Sequence, residues 1–462
     1  MAFYQEEAFL AQLVEHPPCK RKVRGSIPRG GNSFLFFTME YKTNTYEALT
    51  RHMYVSWALV LDVCFTEQEV IAALKHVHAK HPHLRCRIHE GTHPGDMSLL
   101  EKEVGGPVVS VLPACVQNVD EFLENCVEWF SNDRNVDDTV HYWLLLDSEQ
   151  NQCVLVACFC HSCVDALSSL RVATDFLLYL DSPSLSIPNS RPFVSVQNEI
   201  VLKNPDGNNT PYKNQTEVVW IAPIRLHDDG DVSGLFRTKQ IVLPPETIDA
   251  IVKMCRDHGC TYQSYLWLCI LITQMRLFQR SFPLSVRFNT PVTTIGRATF
   301  AHPISSEDLV VGAYSCFVQT HLEGEQSFWD VCRRLTAALK QEIESGDQMN
   351  DFFSVCQTLD FGKLPSASFN GCTLGVTDLK HQYSHFSLKN IYFLPATSRS
   401  PGMGGMNVHA FTVAGLGCFV NCTYWYPGFT SHEMAEYTQD LQQIFKRVCE
   451  GDCTLQQVLD HS

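Results

Sequence analysis

Apolar patterns of strand length and helix length alternate along the chain from about residue 39 onwards. Residues 54–63 (YVSWALVLDV) and 153–160 (CVLVACFC) are apolar runs of strand length. After the first run, Thr66 stands three residues before Glu69 and precedes apolar residues at helical spacing. This spacing is typical of a capping box at the start of a helix. The first part of the chain therefore predicts alternating strands and helices.

The second part of the chain repeats this pattern. Strands are predicted at residues 236–243, 284–290, 312–320, 372–376, 409–413 and 418–424, and helices at 245–257, 261–279, 328–345 and 431–449. We expect an α/β protein of two similar domains, each with a mixed sheet flanked by helices. The domains are predicted at residues 39–185 and 219–462, and the segment 186–218, rich in Pro, Ser and Asn, is predicted to link them.

Residues 1–38 differ from the rest of the chain. They contain the basic, Pro- and Gly-rich stretch HPPCKRKVRGSIPRGGN and show no periodicity. We interpret them as an unstructured or foreign extension, with Met39 as the natural start. The alternative is a basic arm used for targeting or binding.

Composition and charge exclude several classes of function. The formal net charge of −15 excludes a broad basic surface for nucleic acid. No apolar run reaches the roughly 18 residues needed to span a bilayer, and the N-terminus lacks the pattern of a secretory signal. The 20 cysteines are scattered through apolar segments, as expected of buried thiols in a reducing compartment. We therefore expect a cytoplasmic protein.

The candidate chemistry lies in the run VLVACFCHSCVDALSSL. His161 follows an apolar strand directly, and Asp165 opens a helical pattern four residues later. A histidine at the end of a strand can reach a cleft, and an aspartate at a helix start is stabilised by the helix dipole. Histidine ionises near neutral pH and is the commonest general base. The pair predicts acid–base catalysis, with acyl transfer as the leading interpretation.

The motif His161-x-x-x-Asp165, with Ala166 and Ser168 after it, resembles the HxxxDG-x-S motif of the CoA-dependent acyltransferase superfamily. Chloramphenicol acetyltransferases, plant BAHD acyltransferases and peptide condensation domains belong to that superfamily. Three further segments resemble it: ALKHVHAKHPHLRCRI, residues 290–297 with Val311-Gly312, and residues 375–379 (GVTDL). The resemblance covers residues 39 to about 430.

The sequence departs from the family pattern at three places. Ala166 replaces the glycine after the aspartate, and Cys160 stands where condensation domains carry a second histidine. The DFGWG signature of the plant enzymes is absent. These departures argue against a standard BAHD enzyme and are compatible with a general acyltransferase.

The resemblance implies a mechanism and a set of site residues. His161 would deprotonate an alcohol or amine, which then attacks an acyl-CoA thioester directly. Asp165 would hold the loop that aims His161 by pairing with an arginine, for which Arg297 is the first candidate and Arg287 the second. The two substrates would meet in a channel between the domains. Thr377, Ser315 and Asn421 are candidates for the oxyanion donor or for the channel wall.

Two other functions stay open at this point. The chain resembles condensation enzymes, which take acyl groups from a carrier protein, and such a partner would act in trans. A non-catalytic binding protein on the same scaffold is the second alternative.

A metal site is also suggested by the histidines at 76, 78, 81 and 83 and by the Cys160-x-x-Cys163 spacing. His76 and His78 face apart on a helix and no second C-x-x-C exists, so we expect no metal and no cofactor other than acyl-CoA as co-substrate.

Overall fold

The structure is a computed structural model that describes most of the chain between residues 22 and 460. The described residues are 22–25, 37–43, 47–48, 50–90, 97–102, 106–113, 118–132, 138–147, 149–186, 189–191, 193–194, 211–212, 215, 219–221, 235–294, 304–358, 361–397, 405–426 and 428–460.

A five-stranded sheet forms the centre of the N-terminal half, in the order β13-β3-β8-β7-β6. Its strands are β3 (Tyr54–Leu61), β6 (Val109–Pro113), β7 (Val140–Asp147), β8 (Gln152–Cys160) and β13 (Leu388–Thr397). The central strand β8 is antiparallel to both β3 and β7. All of its residues after Gln152 are buried because elements pack on both faces of the sheet, so its sequence is a continuous apolar run.

Three helices cover this sheet: α1 (Glu67–Lys80), α2 (Val119–Asn132) and α3 (Ala166–Asp181). The capping box is confirmed at the start of α1. The Glu69 amide donates to Thr66 Oγ1 at 3.3 Å, and Glu69 Oε2 accepts from the Thr66 amide at 2.8 Å. Helices α1 and α3 share a core with one face of the sheet, and α2 packs on the other. The half is thus a sheet between two layers of helix.

A six-stranded mixed sheet forms the C-terminal half, in the order β11-β10-β12-β14-β15-β9. Its strands are β9 (Leu235–Leu243), β10 (Leu284–Thr293), β11 (Ala313–Leu322), β12 (Phe369–Lys380), β14 (Met406–Ala414) and β15 (Gly417–Tyr426). The helices described in this half are α4 (Pro245–Asp257), α5 (Tyr262–Leu277), α6 (Phe328–Ser345), α7 (Asp347–Thr358), α8 (Ser431–Val448) and α9 (Leu455–Asp460). Helix α5 is buried on nearly every side and packs against one face of the sheet.

A small four-stranded sheet has the order β1-β2-β5-β4. Its strands are β1 (Lys22–Gly25), β2 (Phe37–Lys42), β4 (Cys86–Glu90) and β5 (Met97–Glu101). Strand β1 and the first two residues of β2, Phe37 and Thr38, lie inside residues 1–38, and the interpretation of these residues as an unstructured or foreign extension stays a prediction. The domain boundaries themselves stay a prediction.

Strand β13 joins the two halves. It follows β12 in the sequence, yet it pairs antiparallel with β3, placing Ile391 opposite Leu59 and Phe393 opposite Trp57. The edge strand β9 approaches it, because the Gln240 side-chain amide donates to the Ile391 carbonyl at 2.6 Å. The C-terminal half therefore supplies one edge of the N-terminal sheet.

The predicted α/β class with two mixed sheets is confirmed, and the predicted helices and strands form close to their predicted bounds. The alternating run LRCRIH at residues 84–89 predicts a strand, and the structure differs in part: Pro82–Arg85 is a 3-10 turn, and the strand begins at Cys86. Strand β13 and helix α7 were not predicted. Among the described helices, none combines the length and apolar character that crossing a membrane requires.

Candidate active site

His161 occupies the turn between β8 and α3. Its backbone amide donates to the carbonyl of Met53 at 2.8 Å, and the next hydroxyl, that of Ser162, donates to the carbonyl of Glu47 at 2.6 Å. These two bonds tie the turn to the segment before β3. The side chain of His161 is 8% exposed, so the imidazole sits almost wholly inside the protein.

Burial lowers the pKa of His161 below the ordinary value of 6.5. The carboxylate of Asp165 and the carbonyls of His161 and Val164 oppose this shift, because they favour a protonated ring. The Nδ1 atom is nevertheless buried, and no described residue forms a hydrogen bond with it. The imidazole is therefore neutral at pH 7, which is the state that a general base requires.

Asp165 is the N-cap of helix α3. Its Oδ1 accepts from the Ser168 amide at 2.8 Å, and its Oδ2 accepts from the Gly312 amide at 3.1 Å. Burial raises the pKa of the carboxyl group, and these amide hydrogen bonds lower it. The carboxylate thus holds the start of α3 against the segment that leads into β11.

Ser168 strengthens the same junction. Its hydroxyl donates to the Val310 carbonyl at 2.9 Å and accepts from the Val310 amide at 3.0 Å. The amide of Asp165 donates to the same carbonyl at 2.9 Å. The aspartate and the serine of the motif therefore clamp residues 310–312 of the C-terminal half beside His161.

The two arginines proposed as partners of Asp165 have different outcomes. Arg297 lies outside the described residues, so its pairing with Asp165 stays a prediction. Arg287 is part of β10 opposite Gln319, and its guanidinium donates to the carbonyls of Ser366 and Gln215. Gln319 is seven residues from Gly312 in sequence, on the order of 20 Å along a strand, so Arg287 is not placed to pair with Asp165.

The three candidates for the oxyanion donor or the channel wall lie in two places. Asn421 on β15 and Ser315 on β11 are both buried. Asn421 faces His409 across the sheet, and Ser315 faces Pro291, whose carbonyl accepts from the Cys372 thiol. Thr377 lies beyond a register shift in β12, and its hydroxyl donates to the Thr412 carbonyl at 3.1 Å. Thr377 and Asn421 thus both border β14, whereas Ser315 lies on the edge strand β11, about 19 Å from Asn421 over four strand spacings.

His409 is a candidate that the sequence prediction missed. It lies on β14 between Cys372 and Asn421, and its side chain is 6% exposed. Burial and, to a smaller extent, repulsion from a protonated His161 lower its pKa to about 4, which places the two imidazoles near each other. The alternation of Asn407 and His409 with apolar residues was a usable pattern, because it marks one polar face on a buried strand.

The histidines and cysteines considered as metal ligands have other partners. His78 Nε2 bonds to the Tyr142 hydroxyl at 3.1 Å, His81 Nε2 bonds to Asp175 at 2.7 Å, and His83 stacks on Phe193. Within the described residues, no group of three or more His, Cys, Asp or Glu side chains could hold a metal ion.

Comparison with known proteins identifies the fold. No sequence-family profile matches the chain, and no curated protein matches it in sequence. Among solved structures, it is similar to the TRI3 trichothecene 15-O-acetyltransferase of Fusarium sporotrichioides, with 13% identity and a TM-score of 0.67 over 88% of this chain and 94% of that one. It is also similar to the condensation domain of the Monacolin K polyketide synthase MokA, with 9% identity and a TM-score of 0.65 over 90% and 98% of the two chains. Polyketide synthase associated protein 5 from Mycobacterium tuberculosis gives 12% identity and a TM-score of 0.63 over 89% and 97%.

The chain has the fold of the CoA-dependent acyltransferase superfamily. Within this acyltransferase fold, the two departures from the motif are accommodated locally. Ala166 is the first residue of α3, and its carbonyl accepts from the Ser169 hydroxyl at 2.8 Å. The Cys160 thiol is buried and donates to the Arg51 carbonyl at 3.4 Å. Cys160 is therefore a packed core residue, and its carbonyl accepts from the Cys163 amide at 3.1 Å within the turn that carries His161.

Proposed function

We propose that this protein transfers an acyl group from a CoA thioester to the hydroxyl or amine of a small acceptor. The observation that carries the proposal is the buried imidazole of His161, in a turn that Asp165 and Ser168 hold against residues 310–312. The acyltransferase fold of the chain supports it. We further propose a cytoplasmic location, since no disulfide joins the cysteines that the structure describes.

His161 would act as the general base in this reaction. The imidazole takes the proton of the acceptor as its oxygen or nitrogen attacks the thioester carbonyl. The tetrahedral intermediate then collapses, the carbon–sulfur bond breaks, and the CoA thiolate takes the proton from His161. The imidazole is thus returned to its neutral form after each turnover. A positioned base of this kind contributes about 10²- to 10⁴-fold to the rate.

The second candidate takes its acyl group from a carrier protein. It rests on the similarity to condensation domains such as that of MokA, and the acyl group would then come from a carrier acting in trans. The same base would serve both reactions, so the donor distinguishes them. A binding protein without activity is the third outcome.

The test is release of free thiol from a series of acyl-CoAs in the presence of pooled alcohols and amines. We expect release by the wild type, and a loss of about 10²-fold or more in the variant His161→Ala. His432→Ala is the matched control, because that histidine is exposed on α8 and far from the turn after β8. It should keep the wild-type rate.

Circular dichroism and thermal unfolding of His161→Ala show whether the variant is folded, so that a loss of thiol release can be assigned to the missing imidazole and not to unfolding. A folded variant with the wild-type rate would refute His161 as the base. Release only from an acylated carrier protein would favour the condensation-like candidate. No transfer from either donor would leave the binding protein as the remaining function.

A further inference from the structure

One face of the six-stranded sheet is polar although it is buried. We call it the polar face, and it consists of two rows that cross neighbouring strands. The first row is Asn289, Asn370, Asn407, Thr423 and Thr238, and the second is Cys372, His409, Asn421 and Gln240. The opposite face of the same strands carries Val408, Ala410 and Val420, which pack in the apolar core with α5. The polarity thus belongs to one face only.

The polar face is turned toward the N-terminal half. Phe411 and Phe419 lie on the same face, one row beyond His409 and Asn421, and they pack in the core that contains Phe159 and Val164. His161 contributes to lowering the pKa of His409, and Asp165 contributes to raising the pKa of the Cys372 thiol, so the members of each pair lie close together. This face of the sheet is therefore apolar where Phe411 and Phe419 pack in the N-terminal core. It becomes polar at the next row, which contains His409 and Asn421.

Within the part of the chain that the structure describes, four buried polar atoms on this face have no hydrogen-bond partner. They are Asn289 Oδ1, Thr238 Oγ1, Thr423 Oγ1 and His409 Nδ1. Their side chains are between 0% and 6% exposed. Buried polar groups in proteins are almost always paired, because an unpaired group loses its hydrogen bonds to water without replacement. Four such atoms on one face, of which His409 Nδ1 lies near the candidate base, are unusual for a packing surface and typical of a binding surface.

The side chains of Gln240 and Asn421 hold the second row in place. The Gln240 side-chain amide donates to Asn421 Oδ1 at 3.0 Å, and the Asn421 amide donates to the backbone carbonyl of His409 at 3.4 Å. Gln240 also reaches β13, as described above. The position of His409 is thus fixed by bonds to its backbone, while its ring nitrogen Nδ1 is left unpaired.

We propose that the polar face binds the acceptor, and that the acceptor is a small molecule with several hydroxyl, amine or amide groups besides the reacting one. His409 and Thr423 would be specificity-determining residues that hydrogen-bond to these groups. An aliphatic alcohol or amine could not satisfy the unpaired atoms, so the face selects against it. This inference rests on the proposed function, since the acceptor is placed by its need to reach His161.

The test uses two pools of six-carbon acceptors. The polar pool is sorbitol and glucosamine, and the aliphatic pool is 1-hexanol and hexylamine. We expect the polar pool to raise the melting temperature of the wild type and the aliphatic pool to leave it unchanged. Where thiol release from an acyl-CoA is observed, it should depend on the polar pool. A shift with the aliphatic pool alone, or with neither pool, would overturn the proposal.

The variants Thr423→Val and Thr238→Val remove two unpaired hydroxyls at nearly constant shape. We expect melting temperatures equal to or above that of the wild type, because no internal hydrogen bond is lost. The stabilisation by the polar pool should disappear in the double variant. In turnover, the acceptor KM should rise about 3- to 10-fold per variant, with the acyl-CoA KM unchanged.

Thr273→Val is the matched control. Thr273 is equally buried, but it lies on α5 and its hydroxyl donates to the Cys269 carbonyl at 2.8 Å. It should lower the melting temperature and leave the stabilisation by the polar pool intact. If Thr423→Val and Thr238→Val lower the melting temperature as Thr273→Val does, the hydroxyls are structural and the proposal is wrong. Absence of thiol release with every acyl-CoA counts against the proposed function, and the melting measurements decide separately on the polar face.

Discussion

At the scale of single residues, the proposed mechanism gives His161 the chemistry and Asp165 a positioning role. Asp165 binds two backbone amides, from Ser168 in its own helix and from Gly312 in the other half of the molecule. Its carboxylate is thus occupied by structural bonds. Under the proposed mechanism, this pairing with amides of both halves gives the aspartate a positioning role without a part in the reaction.

Asp165→Asn tests this positioning role. An asparagine has one acceptor oxygen, so its NH₂ group must face one of the two amides. We expect a loss of about 1 to 3 kcal/mol in the free energy of unfolding, measured in urea, and at least a tenfold lower rate of acyl transfer. Thr430→Ala removes the N-cap of α8 away from the site and should cost about 1 kcal/mol with no change in rate. A variant Asp165→Asn with wild-type stability and rate would contradict the role.

The pH dependence of the reaction follows from the lowered pKa of His161. A base acts in its neutral form, so activity is lost as the pH falls through the pKa of the folded protein, which lies below 6.5. We expect kcat/KM to be level above pH 6.5 and to fall in more acidic solution. Because the Asp165 charge favours the protonated ring, residual activity in Asp165→Asn should fall at a still lower pH. An apparent pKa above 7 in the wild type would count against His161 as the buried base.

At the scale of elements, local sequence patterns predicted the helices and strands that depend on interactions between residues close together in the sequence. The helix α1 follows from the Thr66 and Glu69 side chains bonding to each other's backbone amides, and β8 follows from its apolar run. Strand β13 was missed because its partner β3 lies more than 300 residues earlier in the sequence. The polar face was missed for the same reason: strand register, which no local pattern specifies, brings its members together.

Truncation to Met39 is a prediction about the small sheet. It removes β1 and the first two residues of β2 and keeps the pairing of Glu40, Tyr41 and Lys42 with β5. We expect a folded protein with an unchanged rate of acyl transfer, checked by circular dichroism and thiol release. A truncated protein that is insoluble or melts several degrees lower would show that β1 supports the fold. Starting at Lys22 would then restore stability.

At the scale of the whole molecule, the shared strand makes the two halves depend on each other. The N-terminal sheet ends at β13, and Asp165 and Ser168 bind residues 310–312. Cutting the chain at a protease site inserted within residues 201–210 should therefore leave the two pieces bound to each other. We expect the cut protein to elute as one species in gel filtration and as two in 6 M urea. Two separate species in native buffer would show that these contacts do not hold the halves together.

The position of β13 in the chain also determines when the N-terminal sheet can be completed during synthesis. The last residue of α3 is Asp181, whereas β13 ends at Thr397, 216 residues later. At about 5–20 residues per second, the ribosome needs about 10 to 45 seconds for that stretch. Throughout this interval, the edge of β3 that later pairs with β13 has no partner strand. The growing polypeptide thus carries an open sheet edge for much of its translation, and chaperone binding to the nascent chain is most needed in that period.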